Sequence, residues 1–122
     1  MSSLSITQRQ MDGVNILDLD GKILIGETNR QLHEAIYELI AQGKNRVVLN
    51  LEKVLAIDSS GLGEIVASYS TLAKAGGNLK LVNIPTRVTD IMTVTKLYTV
   101  FDVYDSESEA VNSFEERGSA AA

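Results

Sequence analysis

Short apolar runs alternate along this chain with segments of helical periodicity, and this alternation restricts the fold more than any other feature. Two β-type runs, residues 4–8 and 14–19, flank an Asp12-Gly13 pair, which is typical of a hairpin turn. Helical segments and apolar runs then alternate to the end of the chain. The order ββαβαβαβα predicts an α/β fold with a mixed, mostly parallel sheet of about five strands, four helices and an N-terminal hairpin.

The first helix is marked by a capping pattern and an apolar stripe. Thr28 and Gln31 fit a capping box, so the helix is expected to begin at Thr28 and to end at Gly43. Its expected buried positions share helical spacing; they are Leu32, Ala35, Ile36, Leu39 and Ile40.

The next strand and helix enclose the most unusual stretch of the chain. Residues 46–51 are apolar on both alternating faces, which is typical of a strand covered on both sides. A turn is expected at Glu52-Lys53, followed by more strand to Ile57. A second helix then runs to Gly76-Gly77, and its expected apolar stripe is Leu62, Ile65, Val66, Tyr69, Leu72 and Ala73.

The last third of the sequence repeats the same scheme. A strand at 78–83 is followed by a helix opening at Pro85, then by a strand at 101–104. The positions of the third helix that are expected to face the core are Val88, Ile91, Met92 and either Val94 or Thr95. A second capping box, Ser106 with Glu109, opens the last helix. We expect one domain over residues 1–117 and a disordered tail over 118–122.

Composition excludes several functional classes. There is no cysteine and only one histidine, His33, so thiolate sites and a catalytic zinc site are not expected. The net charge of −5 and the scattered basic residues disfavour nucleic acid. No apolar stretch is long enough for a membrane span, which favours a cytoplasmic protein. No metal, cofactor or catalytic residue is expected.

The stretch IDSSGLGE, residues 57–64, joins the central strand to the second helix. In open α/β sheets, functional groups gather at the carboxyl ends of strands, where helix N-termini also favour anions. A purely structural reading is open, because Asp58, Ser59 and Ser60 are all good N-cap residues. The glycines at 61 and 63 argue for more than a cap, since each costs about 1 kcal/mol of helix propensity.

Two enzymatic or cofactor readings of this turn are weaker. Gly61-x-Gly63-x-x-Val66 lacks the third glycine of a dinucleotide fingerprint, and the next strand ends at Asn83 rather than at an acid. Serine hydrolysis needs a base within reach, and His33 lies on another helix. A role in binding, without catalysis, is therefore expected.

Three segments together identify a family resemblance: VVLNLEKVLAIDSSGLGEIV, AGGNLKLVNI and KLYTVFDVYDSESEAV. They resemble the STAS domain of bacterial anti-sigma factor antagonists, over residues 4–114. The resemblance implies a STAS-like fold and a regulatory role. The resemblance also implies that the unmodified antagonist binds an anti-sigma factor with serine kinase activity and so frees a sigma factor. By the same resemblance, that kinase is expected to phosphorylate the antagonist and a serine phosphatase to restore it.

In the family pattern the modified hydroxyl directly follows the aspartate, which here is Ser59, with Ser60 as the fallback. Lys22 and Leu24 replace two acids that many members carry near the serine. A monomer or weak dimer is expected. The expected partner surface combines the turn, the second helix and the preceding loop: Asp58, Ser59, Ser60, Gly61, Leu62, Gly63, Glu64 and Ser68, with Ile23, Leu24, Ile25, Gly26, Glu27 and Thr28.

Two other functions remain open from the sequence. A STAS module that binds a nucleotide or another small ligand could use the same helix N-terminus as an anion site. A scaffold subunit of a larger signalling complex would need only the folded domain. Neither alternative requires a catalytic residue.

Overall fold

The computed structural model describes the backbone of residues 4–95 and 101–121, and the side chains of residues 4–94 and 101–114. A five-stranded sheet in the order β1-β2-β3-β4-β5 forms the centre of the domain. The elements in chain order are β1 (Leu4–Met11), β2 (Val14–Ile23), α1 (Glu27–Ala41), β3 (Arg46–Ile57), α2 (Ser59–Lys74), β4 (Asn78–Val82), α3 (Thr86–Thr95), β5 (Asp102–Tyr104) and α4 (Glu107–Ala121).

The sheet is mixed, as the sequence predicts. β1 pairs antiparallel with β2, while β2, β3, β4 and β5 pair in parallel. Asp12 and Gly13 both have positive φ, 53° and 80°, which is the backbone of a two-residue hairpin turn whose twist matches the strands. The predicted α/β architecture and the N-terminal hairpin are both confirmed.

The predicted turn at Glu52-Lys53 is wrong, because β3 continues through these residues to Ile57. The pairing with β2 shifts between Asp18 and Asp20 and again between Gly21 and Lys22. Bulges at these points let the polar pair stay within the strand. β3 therefore reaches far enough to place Asp58 beside the end of β2.

Two apolar cores lie on opposite faces of the sheet. α1, α2 and α3 cover one face, and α4 covers part of the other. Because side chains alternate along a strand, neighbouring residues of β3 enter different cores: Val47 and Leu49 face the helix trio, and Val48 faces α4. This double coverage explains why the strand sequence is apolar on both faces.

The expected inward face of α3 is confirmed in part, and so is the expected cap of α4. Val88 and Met92 of α3 are buried, but Val94 is 81% exposed, so its expected burial is wrong; the side chain of Thr95 lies outside the described residues. Ser106 caps α4 as expected, since its Oγ accepts from the Glu109 N–H at 3.3 Å. The Glu109 carboxylate accepts from the Ser106 hydroxyl at 3.2 Å, and not from its backbone N–H as in a full capping box. The expected disorder of residues 118–122 lies outside the described side chains and stays a prediction.

A charged network ties the hairpin to α4. Arg9 on β1 donates to both carboxylate oxygens of Asp18 on β2, at 2.5 and 2.8 Å, and also bonds Glu107 of α4. Asn50 on β3 donates to the same Asp18 carboxylate at 2.8 Å. The hydrogen bond from Arg9, with a smaller contribution from Asn50, lowers the pKa of Asp18, although partial burial opposes the shift.

Replacing Asp18 with asparagine is expected to lower the free energy of unfolding by about 1 kcal/mol at neutral pH, a value typical of a partly exposed charge pair. Because the folded pKa of Asp18 lies below the unfolded value of about 3.9, its stabilisation is present above that pH and is lost as the pH falls through the folded value. Urea denaturation at pH 7 and in acid checks this. Asp20→Asn, an exposed neighbour, is the control; an equal loss for both variants contradicts the prediction.

Candidate functional site

Asp58 fixes the start of α2 and the loop beside it. It is the N-cap residue, and its Oδ1 accepts from the backbone N–H of Gly61 at 2.7 Å. Its other oxygen, Oδ2, accepts from the N–H of Ile25 at 3.0 Å, and its own N–H donates to the carbonyl of Ile23 at 3.3 Å. One side chain therefore caps the helix and holds the loop between β2 and α1 against it.

Because Asp58 caps α2, neither Ser59 nor Ser60 is needed as the N-cap residue. Ser59 is exposed at the first position of α2, and its hydroxyl has no hydrogen-bond partner among the described residues. Ser60 is partly buried, and its Oγ accepts from Nδ2 of Asn29 on α1 at 3.1 Å. The two neighbouring hydroxyls are chemically alike, but within the described part of the chain only that of Ser59 has no hydrogen-bond partner.

The two glycines of the turn have different structural roles. A Cβ atom on Gly61 would press against the carbonyl oxygen of Ile23 and lie 2.8 Å from Cγ1 of Ile57. A Cβ atom on Gly63 would meet nothing within 4 Å. Gly61 therefore allows α2 to start close against the end of β2, whereas Gly63 leaves an open surface next to the serines.

The loop between β2 and α1 presents Ile25 to solvent. This side chain is 78% exposed, although its backbone is held by Asp58. Gly26 follows with φ 105°, in a backbone region that favours glycine, and serves as the N-cap of α1. An apolar side chain thus stands at a fixed position next to the start of α2.

The predicted capping box of α1 is wrong. The helix begins at Glu27, and no side chain of the described residues caps it. Thr28 is buried, and its hydroxyl exchanges hydrogen bonds with the backbone N–H and carbonyl of Leu24, at 3.0 and 3.1 Å. Gln31 does not reach back, since its side-chain oxygen is buried without a partner in the described part of the chain. Thr28 closes the loop instead of capping the helix.

Glu64 lies at the seam between α1 and α2. Its Oε2 is 3.0 Å from Nδ1 of His33 and accepts from the hydroxyl of Ser68 at 3.4 Å. Ser68 is only 1% exposed, so the expectation that it is an exposed position of α2 is wrong. Of the two side chains paired beside it, His33 is half-exposed and Glu64 is 14% exposed.

The fold brings the expected surface residues together, but not all of them reach solvent. The buried members support the surface from below; they are Ile23, Thr28, Gly61, Leu62 and Ser68. The members that are exposed or partly exposed are Leu24, Ile25, Gly26, Glu27, Asp58, Ser59, Ser60, Gly63 and Glu64. Asn29, which touches Ser60, was not expected from the sequence, because only the packing of α1 against α2 brings it there.

Two structural features are absent from the described residues. No group of three or more His, Cys, Asp or Glu side chains stands in an arrangement that could hold a metal ion. Within the same residues, no helix combines the length and the apolar character needed to cross a membrane.

Comparison with known proteins agrees with this geometry. The STAS domain family matches residues 5–110. The anti-sigma F factor antagonist of Paenibacillus polymyxa is 27% identical over 116 residues, covering 93% of this chain and 97% of that protein. The crystal structure of the Thermotoga maritima protein TM1081 superposes with a TM-score of 0.79 at 27% identity, covering 88% of this chain and 92% of the other.

The anti-sigma factor antagonist SpoIIAA has the same fold in two states. Its unphosphorylated form gives a TM-score of 0.70 at 21% identity, covering 91% of this chain and 98% of the other. The phosphorylated form of SpoIIAA, from Bacillus, gives 0.68 at 20% identity, covering 90% and 99%. The family match spans most of the sequence and agrees with the sheet order, the helices and the turn at Asp58, so this chain belongs to the STAS domain family.

Proposed function

We propose that this protein is an anti-sigma factor antagonist that acts by binding and not by catalysis. In its unmodified form it binds an anti-sigma factor with serine kinase activity, which frees a sigma factor. Phosphorylation of Ser59 ends the binding, and a serine phosphatase restores it. Relatives over most of the chain carry the name of anti-sigma factor antagonist, which supports this role. The single observation that carries the switch is the exposed hydroxyl of Ser59 at the start of α2, which has no hydrogen-bond partner in the region that the structure describes.

The position of Ser59 suits a reversible phosphoryl group. Asp58 satisfies the N–H of Gly61, so the amides of Ser59 and Ser60 are the ones left for an anion at this helix end. A phosphoryl group adds about −1.5 to −2 charges and three acceptor oxygens. The positive end of the helix dipole would stabilise these charges without refolding. The shared fold of the two SpoIIAA forms is consistent with a switch that leaves the fold unchanged.

The same charge would change how the surface meets a partner. Asp58, Glu27 and Glu64 already surround the turn, and the whole chain carries a net charge of −5. A phosphoryl group on Ser59 would add charge beside the exposed Ile25. A partner that buried Ile25 would also have to remove water from this charge, which is costly. We therefore infer that modification excludes the partner by repulsion and by desolvation cost.

Replacing Ile25 with aspartate is expected to weaken binding to the host's anti-sigma factor about thirtyfold, corresponding to about 2 kcal/mol for a buried apolar anchor. Val94→Asp is the matched control, because Val94 on α3 is equally exposed, at 81% against 78%. It should leave affinity unchanged. Titration calorimetry measures both, and an equal effect of the two changes contradicts a contact at Ile25.

Phosphorylation itself tests the proposed switch. The purified protein is incubated with ATP and the host's anti-sigma factor kinase, and the modified residue is mapped by mass spectrometry. We expect one phosphoryl group, on Ser59, and none on Ser59→Ala. A protein that stays unmodified, or one that is modified away from this turn, contradicts the proposal.

A further inference from the structure

Two adjacent serines stand at the start of α2, and only one of them is held by another element. Nδ2 of Asn29 on α1 donates to Oγ of Ser60 at 3.1 Å, while Ser59 has no such partner among the described residues. We propose that Asn29 is a positioning residue that confines phosphorylation to Ser59 by holding the hydroxyl of Ser60. This inference rests on the proposed function, because it specifies how the phosphorylated serine is selected.

Burial alone does not separate the two hydroxyls. Ser60 is partly exposed rather than sealed in the core, and it belongs to the same first turn of α2 as Ser59. A kinase that can reach Ser59 therefore finds a second serine one residue away. Some further restraint is needed for a single site, and the hydrogen bond from Asn29 is the restraint that the fold provides.

Asn29 is itself held firmly in place. Its backbone N–H donates to the carbonyl of Leu24 at 3.2 Å, at the loop that Thr28 closes. Its side-chain oxygen is buried and has no partner in the described part of the chain. Breaking the contact with Ser60 would leave the amide still poorer in hydrogen bonds, which is costly for a buried group. The side-chain amide of Asn29 is therefore expected to stay hydrogen-bonded to Ser60.

The contact acts on the atom that would react. In phosphoryl transfer the serine oxygen attacks the γ-phosphorus of ATP; the new O–P bond forms as the bond to the bridging oxygen breaks, ADP leaves, and the hydroxyl proton passes to a base of the kinase. Attack needs a free lone pair pointing in line with the leaving group. In Ser60 the bond from Asn29 occupies a lone pair and fixes the side chain toward α1. Ser59 has neither restraint from the residues that the structure describes.

The test is site-resolved phosphate mapping of the full chain expressed in its own host. Asn29→Ala should raise the ratio of phosphate on Ser60 to phosphate on Ser59 about tenfold, the factor set by about 1.4 kcal/mol, close to the value of one hydrogen bond. In a Ser59→Ala background, phosphate should appear on Ser60 only when Asn29 is also replaced. Asn29→Ser, which shortens the side chain but keeps it polar, is a second variant should the alanine form be unstable.

Gln31→Ala is the matched control. Gln31 lies on the same turn of α1 and also has a buried side-chain oxygen without a partner in the described region, but it does not bond either serine. If Gln31→Ala raises phosphate on Ser60 as much as Asn29→Ala does, general loosening of α1 explains the result and the inference is overturned. An unchanged ratio in Asn29→Ala, with Ser59 still modified, overturns the inference but keeps the proposed function. Absence of phosphate from both serines overturns both.

Discussion

An alanine at position 61 is expected to lower the free energy of unfolding by about 3 kcal/mol, the upper range for overpacking in a tight core. The added Cβ would press on the carbonyl oxygen of Ile23 and lie 2.8 Å from Ile57 Cγ1 and 3.0 Å from Ile23 Cγ2. The carbonyl cannot move aside freely, because it also accepts from the N–H of Asp58 at 3.3 Å. The start of α2 would be forced away from β2.

Gly63→Ala is the matched control two residues along the same helix. A Cβ there meets nothing within 4 Å, so alanine should stabilise the domain by up to about 1 kcal/mol through helix propensity. Urea denaturation of both variants measures the two effects, which have opposite signs. Equal stability of the two variants would mean that the close approach of Gly61 to Ile23 is not a structural requirement.

Replacing Ser59 with aspartate is expected to reduce affinity for the host's anti-sigma factor at least about a hundredfold. The added charge stands beside Asp58 and within reach of Ile25, and a like charge or an unpaired charge in an interface costs several kcal/mol. Ser59→Ala should bind as the unmodified protein does, because the free hydroxyl makes no internal contact in the described residues. Titration calorimetry distinguishes the two variants.

Ser108→Asp is the control for a charge at a helix start. Ser108 is an exposed serine in the first turn of α4, so aspartate gains the same favourable dipole interaction there. α4 lies on the opposite face of the sheet from α1, α2 and α3, so binding should be unchanged. Similar losses for Ser59→Asp and Ser108→Asp would point to net charge, and not to the position of Ser59, as the cause.

The fold was largely predictable because its signals are local. Asp12-Gly13, Gly43 and Gly76 all have positive φ where the sequence places turns or helix ends. The errors occur where one local rule competes with another contact. Thr28 has the spacing of a cap but bonds back to Leu24, and Glu52-Lys53 has the polarity of a turn but lies in a bulged strand. For Thr28 the competing contact lies only four residues away, in the loop before the helix. For Glu52-Lys53 the competing contact is long-range, since pairing with β2 keeps these residues in the strand.

The burial of Lys80 is another feature that local sequence does not predict. The sequence places it in β4, but nothing local indicates that the side chain is fully buried beneath α4. Its Nζ donates to Ser113 Oγ at 2.6 Å and lies over the rings of Phe114 and Tyr104, at 4.5 and 5.3 Å from their centroids. These partners come from later parts of the chain, so only the folded arrangement explains how the charge is accommodated.

In the candidate site, too, some features follow from contiguous sequence and others depend on the packing of distant elements. The identity of the turn and the exposure of its first serine follow from the residues around Asp58, which are contiguous in sequence. The selection between Ser59 and Ser60, the burial of Ser68 and the pairing of Glu64 with His33 depend on how α1 packs against α2. Their partners are 31 residues apart for both Asn29–Ser60 and His33–Glu64, so no local pattern contains this information.

The most direct test of the central claim is the release of a labelled sigma factor from its complex with the host's anti-sigma factor, followed by fluorescence anisotropy. Two samples of the same protein are compared, one unmodified and one phosphorylated on Ser59. Our account predicts that the unmodified protein releases the sigma factor and that the phosphorylated protein does not. Equal release by both samples, or release by neither, would contradict it.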